Sequence, residues 1–259
     1  MDAARTEGSD AGVLLPHEPL AEYYPGQAQK DAFVQEMFDS TAQDYDRMER
    51  ILALGTGPWY RGQALSRAGL RPGMRVVDVG VGTGLVASEA VKLTGDPSLV
   101  TGVDPSPGML AQAQVPAGVT LLEGRAEALP FADASFDFLS MGYALRHIGD
   151  LAAAFREFHR VLRPGGRFCL LEITAPRTRW GRTLMRWYMR SLVPSLALLV
   201  GRARNTRRLW RYYWDTIEAC IPPQQVVEAL QAAGFADVRV VHDVKGMEIL
   251  SEFQGTRAD

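Results

Sequence analysis

An α/β fold with a doubly wound, mostly parallel sheet is what this sequence predicts, on three observations. Short apolar runs alternate with stretches of helical periodicity from Met74 to Ile173, the order that a parallel sheet covered on both faces requires. The first run, Val76-Val77-Asp78-Val79, leads straight into Gly80-Val81-Gly82-Thr83-Gly84, and open sheets bind ligands at the carboxyl ends of their strands. Hydrophobic residues make up 47% of the 259 residues, which suits one large domain with additions rather than two domains.

The elements follow in order. Residues 1 to about 30 are rich in Ala, Gly, Pro and acids and are expected as a loose tail. From Asp31, Phe33, Val34, Met37 and Phe38 recur at helical spacing. A second helix is expected from Trp59 to Ala68, broken by Arg71-Pro72-Gly73, so that 31–70 forms a helical cap. Strands are expected at Met74 to Val79, Leu99 to Val103, Val119 to Leu122 and Phe136 to Met141. Helices are expected at Leu85 to Leu93, Met109 to Gln114 and Leu151 to Leu162. Pro164-Gly165-Gly166 reads as a turn before a strand at Arg167 to Ile173. After a helix at Gln224 to Ala233, Val238 to Val241 and Met247 to Phe253 read as an antiparallel C-terminal hairpin. The segment 175–214 does not fit the alternation and is expected as a helical insertion. The folded domain spans 31–259 on this reading.

The totals exclude several classes. A formal charge of −2 gives no sign of a nucleic-acid partner. Cys169 and Cys220 lie far apart without CxxC or His-rich spacing, so two reduced thiols and no metal are expected. The N-terminal MDAARTEGSD is acidic and polar, and no run of about 18 apolar residues occurs. A cytoplasmic location is expected.

The chemistry sits in four local patterns. The glycine spacing is G-x-G-x-G rather than the G-x-G-x-x-G of dinucleotide binders, which favours a nucleoside bearing an amino acid over a pyrophosphate. Twenty residues after Gly84, a strand ends at Asp104, where a carboxylate can accept from both hydroxyls of a ribose. Because Pro105 and Ser106 follow, a helix-capping role for Asp104 stays open. The third and fourth patterns are Gly124-Arg125-Ala126-Glu127-Ala128-Leu129-Pro130-Phe131 and Leu162-Arg163-Pro164-Gly165-Gly166.

Together, in this order and spacing, these stretches resemble the class I S-adenosylmethionine-dependent methyltransferases, whose fold is Rossmann-like. More narrowly they resemble the ubiquinone/menaquinone C-methyltransferase group, through Met37-Phe38-Asp39-Ser40, Tyr45-Asp46, Ala126 to Phe131, Ala144-Leu145-Arg146-His147-Ile148 and Leu171-Glu172. The resemblance covers about residues 33 to 255. It implies that S-adenosylmethionine is the cofactor and that 31–259 is the methyltransferase domain. Gly80, Gly82 and Thr83 would hold the cofactor's methionine part, Asp104 its ribose, and Met109, Arg125 and Ala126 its adenine. Tyr45 would close over it from the cap, and Gly142 would lie beside it. Two positions depart from the family. Arg125 stands where Asp or Asn accepts from the adenine amino group, and arginine has no acceptor. Gly142 stands where the quinone group often has Ser; Ser140, on the same side of an extended strand, is a candidate to compensate.

Methyl transfer from a sulfonium asks the protein mainly for alignment and exclusion of water. A quinol acceptor also needs help with a phenolic proton. Arg146, His147, Tyr143 and Glu172 are the candidates. Arg146 is suited to stabilising a phenolate rather than acting as a base, with a structural ion pair as the alternative. His147 titrates in the right range, with a surface position as the alternative.

From Ile173 to Trp214 the sequence has ten arginines, no acid and interleaved tryptophans and tyrosines. With the apolar run Leu192 to Val200, this suits a helix lying on an anionic membrane surface; a helical lid over a water-soluble substrate is the alternative. The function expected is transfer of a methyl group to a hydrophobic ring acceptor of quinone type. Methylation of another small molecule (a natural product or lipid headgroup, on O or N) and a non-catalytic subunit that binds the cofactor or a lipid remain alternatives. A homodimer is left open.

Overall fold

The computed structural model describes residues 12–52, 55–193, 195, 203–242 and 249–258. Residues 1–11 of the expected tail, most of the apolar run Leu192 to Val200, and the start of the last expected strand at Met247 lie outside the described residues.

The expected alternation is present. β1 (Val76–Val79), β2 (Val100–Asp104), β3 (Thr120–Glu123), β4 (Phe136–Gly142) and β5 (Leu162–Ile173) are joined by α3 (Leu85–Thr94), α4 (Pro107–Ala111) and α5 (Leu151–Val161). α8 (Pro223–Ala232) precedes the closing pair β6 (Phe235–His242) and β7 (Leu250–Arg257). The described strands form one seven-stranded sheet in the order β3-β2-β1-β4-β5-β7-β6. β1 to β5 run parallel, and β7 inserts antiparallel between β5 and β6. The expected turn at Pro164-Gly165-Gly166 interrupts a longer strand. Leu162 pairs opposite Phe136 and Arg167 opposite Phe138, so the residues between bulge out of the ladder.

Alternation along the strands divides the core. Val77, Val79, Leu139 and Leu170 pack with Phe155 and Phe158 of α5 and Leu230 of α8. Val76, Phe138 and Leu171 face the other way, against α3 and α2 (Gly57–Ala68). Every residue of β1 is buried, as expected of a central strand covered on both faces. Each fully buried Phe or Leu contributes about 1.5–3 kcal/mol.

A third apolar cluster carries the site's roof. α1 (Gln27–Leu52) contributes Met37 and packs with Met189 and with Trp210, Tyr212, Tyr213 and Trp214 of α7 (Ala203–Ala219). The insertion is helical, as expected. It consists of α6 (Arg179–Trp187), a wide turn Tyr188–Leu192, and α7. Two of its described arginines have acidic neighbours: Arg186 pairs with Glu218, and Arg190 lies 3.7 Å from Asp215.

The loose tail needs correction where it is described. Leu14 N donates to the Asp150 carboxylate at 3.1 Å, Leu14 O accepts from Leu151 N at 2.8 Å, and Ile221 N donates to Pro16 O at 2.8 Å. Tyr24 and Lys30 are buried, Lys30 donating to Ile148 O at 2.9 Å. α1 itself begins at Gln27. A few apolar anchors and backbone bonds hold this segment where composition suggests disorder. Among the described residues both cysteines are unpaired, and no helix is long and apolar enough to cross a membrane.

Candidate active site

Two cavities meet at the carboxyl ends of β1 and β4. The first is built on the glycine turn. Gly80, Gly82 and Gly84 all have positive φ (69°, 53° and 90°), a backbone path open to glycine at little strain. Gly80 N and Val81 N both donate to Val103 O, at 2.8 and 3.0 Å, which folds the turn over β2. Asp104, at the tip of β2, is 7% exposed. Its two oxygens accept from Gly82 N at 2.8 Å and Ser106 N at 2.9 Å. Helix α4 is capped instead by Ser106, whose hydroxyl accepts from Met109 N. Asp104 therefore ties the two cavity loops together. Burial pushes its carboxyl up to about 6, because desolvation disfavours the charged form. Beneath the turn, Asp78 accepts from the Ser140 hydroxyl at 2.7 Å, leaving Oδ2 buried without a partner; burial pushes its carboxyl up to about 7.

The cap helix is fastened to these loops by three carboxylates on α1. Asp31 pairs with Arg125 at 2.8 Å, Asp39 accepts from the Ser106 hydroxyl and from Gly108 N at 2.9 Å, and Asp46 accepts from the Thr83 hydroxyl. Spacings of eight and seven residues put all three on one face of a helix. Of the α1 residues at the site, the sequence gives a role to Tyr45 alone; Asp39 and Asp46 stand in its motifs without one. The common face of the three acids is the signal that could have found them.

Tyr45, Gly80, Gly82, Thr83, Asp104, Met109, Arg125, Ala126, Gly142, Tyr143 and His147 all line this first cavity. The two departures are explained. Arg125 reaches out to Asp31 of the cap. At Gly142 a Cβ would meet Val86 Cγ2 at 2.6 Å, so α3 packs too close for Ser. Ser140 does not compensate, because it is fully buried with its hydroxyl on Asp78.

Arg146 and Glu172 stand behind the wall. They are 0% and 2% exposed, pair with each other, and line neither cavity. Arg146 Nη1 donates to Tyr143 O at 2.9 Å, Nε donates to Thr216 Oγ1 at 3.2 Å, and the guanidinium lies 4.5 Å from the Tyr213 ring centre. Tyr143 itself has φ 61°, a conformation that costs a bulky residue about 1–3 kcal/mol. His147 is packed among Phe38, Tyr212 and Tyr213. Burial and the Arg146 charge hold it well below the usual histidine range. The alternative of a surface position does not apply; the ring is neutral, with Nε2 buried and unpartnered.

The second cavity, of about 630 Å³, lies between α1, α2 and the insertion. Tyr60, Leu184, Met185, Trp187, Met189 and Trp210 supply much of its wall, and Tyr45, Tyr143 and Tyr213 belong to both cavities. The Tyr213 hydroxyl donates to Tyr45 at 3.0 Å across the neck. Burial pushes all three of these tyrosines up, which keeps them protonated.

Comparison with known proteins agrees with this geometry. A model of the ubiE/COQ5 methyltransferase family matches residues 26–251. The protein is 31% identical over 223 residues to a demethylmenaquinone methyltransferase of Symbiobacterium thermophilum, across 82% of its own length and 88% of that relative. It is 34% identical over 212 residues to a demethylmenaquinone methyltransferase of Lactiplantibacillus plantarum, across 79% and 88%. In fold it is similar to a SAM-dependent methyltransferase of Thermotoga maritima described as a possible histamine N-methyltransferase, with a TM-score of 0.61 at 23% identity over 86% of its own length and 99% of that structure. The family match runs from the cap helix through the glycine turn to the last strand, and this S-adenosylmethionine-dependent methyltransferase belongs to the ubiE/COQ5 methyltransferase family.

Proposed function

We propose that this protein methylates a ring carbon of a quinone or quinol-type acceptor bearing a prenyl tail. The observation that carries this reading is the apolar cavity joined to the cofactor cavity at Tyr45, Tyr143 and Tyr213. A flat ring would reach the neck, with its tail along Met185, Met189 and Trp210. The relatives named demethylmenaquinone methyltransferase support the same choice.

The first cavity suits the cofactor. Its glycine backbone leaves room for close approach: a Cβ on Gly82 would lie 3.4 Å from Met109 Cε. Gly80, Gly82 and Thr83 would hold the methionine part. Asp104 would accept from the ribose hydroxyls, since each of its oxygens keeps a second lone-pair direction. Met109 and Ala126 would flank adenine, with Met109 giving a soft sulfur contact, and Arg125 would cover its edge while bonded to Asp31. When bound, S-adenosylmethionine supplies an electrophilic methyl group on a charged sulfur. Tyr45, Tyr143 and Gly142 would then set the distance and angle of the acceptor and keep water out. Arg146 acts as a positioning residue: it holds the strained Tyr143 backbone and the Tyr213 face. His147 gives the cavity wall an uncharged ring, with Nε2 buried.

Membrane contact belongs to the same reading. Trp180, Leu184 and Trp187 form an i, i+4, i+7 stripe on α6 and are 72%, 42% and 56% exposed. Leu184 and Trp187 also line the acceptor cavity, so the stripe leads into it. Arginines flank the stripe, which suits an anionic lipid surface.

The test is competition between acceptors. With methyl-labelled cofactor, a reduced demethylnaphthoquinone with a short prenyl tail should be methylated on a ring carbon. A tailless catechol or a phosphoethanolamine should be a poor acceptor. Preference for either of those, or label on oxygen or nitrogen, would refute the assignment.

A further inference from the structure

We propose that Glu49 and Arg61 form the polar end of the acceptor cavity, where Glu49 takes the proton of a ring hydroxyl and Arg61 holds the oxyanion left behind. The inference rests on the reading of the second cavity as the acceptor site.

Three observations converge on this pair. Glu49 is the one charged residue among the described residues lining the acceptor cavity. Arg61, on α2, pairs with it through Nη2. Arg61 is 1% exposed, yet its Nε and Nη1 have no hydrogen-bond partner. A buried guanidinium with two unmet donors is unusual unless a ligand meets them. The third observation is how closely the pair sits under the start of α2. A Cβ on Gly57 would lie 2.5 Å from Glu49 Oε1 and 2.8 Å from Arg61 Nη1, so only glycine lets the helix pack against the pair. Gly57 lines the acceptor cavity together with Glu49, which places the pair at that wall. Arg61 also lines the cofactor cavity and lies 5.8 Å from the Tyr143 ring centre, which places the pair beside the neck.

The other titratable groups are less suited. The neck tyrosines are held protonated, His147 is held neutral on the cofactor side, and Glu172 is committed to Arg146 behind the wall. The proposed step is a proton transfer alone. The O–H bond of the acceptor breaks, an O–H bond forms on the Glu49 carboxylate, and the electron pair stays on the acceptor oxygen, from which it delocalises into the ring. Arg61 exchanges a carboxylate partner for an oxyanion. The site's net charge does not change, which avoids leaving an uncompensated charge in a buried place.

Two readouts test the pair. The first is spectroscopic and independent of turnover. 4-Nitrophenol is titrated into protein saturated with S-adenosylhomocysteine, and its absorption moves to longer wavelength when its hydroxyl loses the proton. On the unsubstituted protein the bound probe should show that shift. In Glu49→Gln combined with Arg61→Met the shift should vanish, with affinity about tenfold weaker, the scale of one charged hydrogen bond. The second is methyl transfer to the short-prenyl hydroquinone, which should fall by about 10²–10⁴-fold in Glu49→Gln and recover in part in Glu49→Asp. Cofactor affinity by calorimetry should stay within about twofold of the unsubstituted value. If Glu49→Gln does not fold because Arg61 is left unpaired, Glu49→Gln combined with Arg61→Met removes both charges and carries the same readouts. No spectral shift on the unsubstituted protein, a shift unchanged in the variant that removes both charges, or turnover unchanged in Glu49→Gln overturns the proposal. Loss of cofactor affinity in Arg61→Lys with probe binding intact also overturns it, making Arg61 a cofactor ligand. A Glu49-dependent shift without methylation of the prenylated hydroquinone supports the pair and refutes the quinol reading.

Discussion

Asp104 offers the sharpest test of the cofactor cavity. Its carboxylate is 7% exposed and accepts from Gly82 N and Ser106 N. Replacing it with Ala removes the acceptors proposed for the ribose. A hydrogen bond to a charged group is worth about 1.5–3 kcal/mol, so one lost bond weakens S-adenosylmethionine roughly 10- to 150-fold. The substitution also leaves two backbone N–H groups unmet, so urea unfolding of the unliganded variant must accompany the titration. The pH dependence gives a second reading. Burial raises the folded-state value from 3.8 to about 6. Between those values the folded protein holds a proton that the unfolded chain has lost. Asp104 therefore contributes stability that is fully present below about 4 and lost as pH rises through about 6. Ribose hydroxyls donate to the ionised form, so cofactor affinity should move the opposite way. It should rise about tenfold from pH 5 to pH 7, and the rise should disappear in Asp104→Ala. Calorimetry at several pH values measures both effects. A flat affinity profile, or unchanged affinity in Asp104→Ala, would refute the ribose assignment.

The other expectations are simpler. Glu172→Gln strands Arg146 in a site where both partners are buried, and should lower stability by about 3–5 kcal/mol in urea unfolding; a loss under about 1 kcal/mol would show the pair to be dispensable. Gly142→Ser drives a side chain against Val86 and should destabilise by about 1–3 kcal/mol, with Val86→Ala restoring much of it; an unaffected melting temperature would show that α3 can move aside. Replacing Trp180, Leu184 and Trp187 with Ser should abolish binding to vesicles containing anionic phospholipid, and that binding should weaken with added salt. Equal binding to neutral vesicles, or none by the unsubstituted protein at low salt, would remove the membrane claim.

What is legible in the sequence is local. β1 and the glycine turn announce themselves by an apolar run and three glycines within nine residues of Val76, and Asp104 by its place at a strand end. The final hairpin is antiparallel as its sequence suggests, with β7 entering between β5 and β6. Strand ends drift by a few residues, as at β7, because pairing partners rather than propensity decide where a ladder stops. The early segment misleads because Leu14, Tyr24 and Lys30 have no periodicity; Leu14 and Lys30 are held by partners far along the sequence, Asp150 and Ile148. The same reason hides Glu49 and Arg61, and the roles of Asp39 and Asp46, which stand in the motifs of the resemblance without one. They gain meaning only once α1 and α2 fold over the sheet. Arg146 and His147 are found by resemblance, and only packing shows that one lies behind the wall and the other in it.

The cavities proposed for cofactor and acceptor are joined through one helix. α1 carries Asp31, Asp39 and Asp46 toward the cofactor loops, and Tyr45 and Glu49 toward the neck and the acceptor cavity. The destination of the methyl group tests this arrangement most directly. Purified protein, methyl-labelled S-adenosylmethionine and a total lipid extract from cells lacking the protein would be incubated together, and the label located by mass spectrometry. Label on a ring carbon of a prenylated quinone is the expected result. Label confined to a water-soluble compound, with cofactor binding intact, would contradict the quinol assignment and make the arginine-rich insertion a lid over a different acceptor.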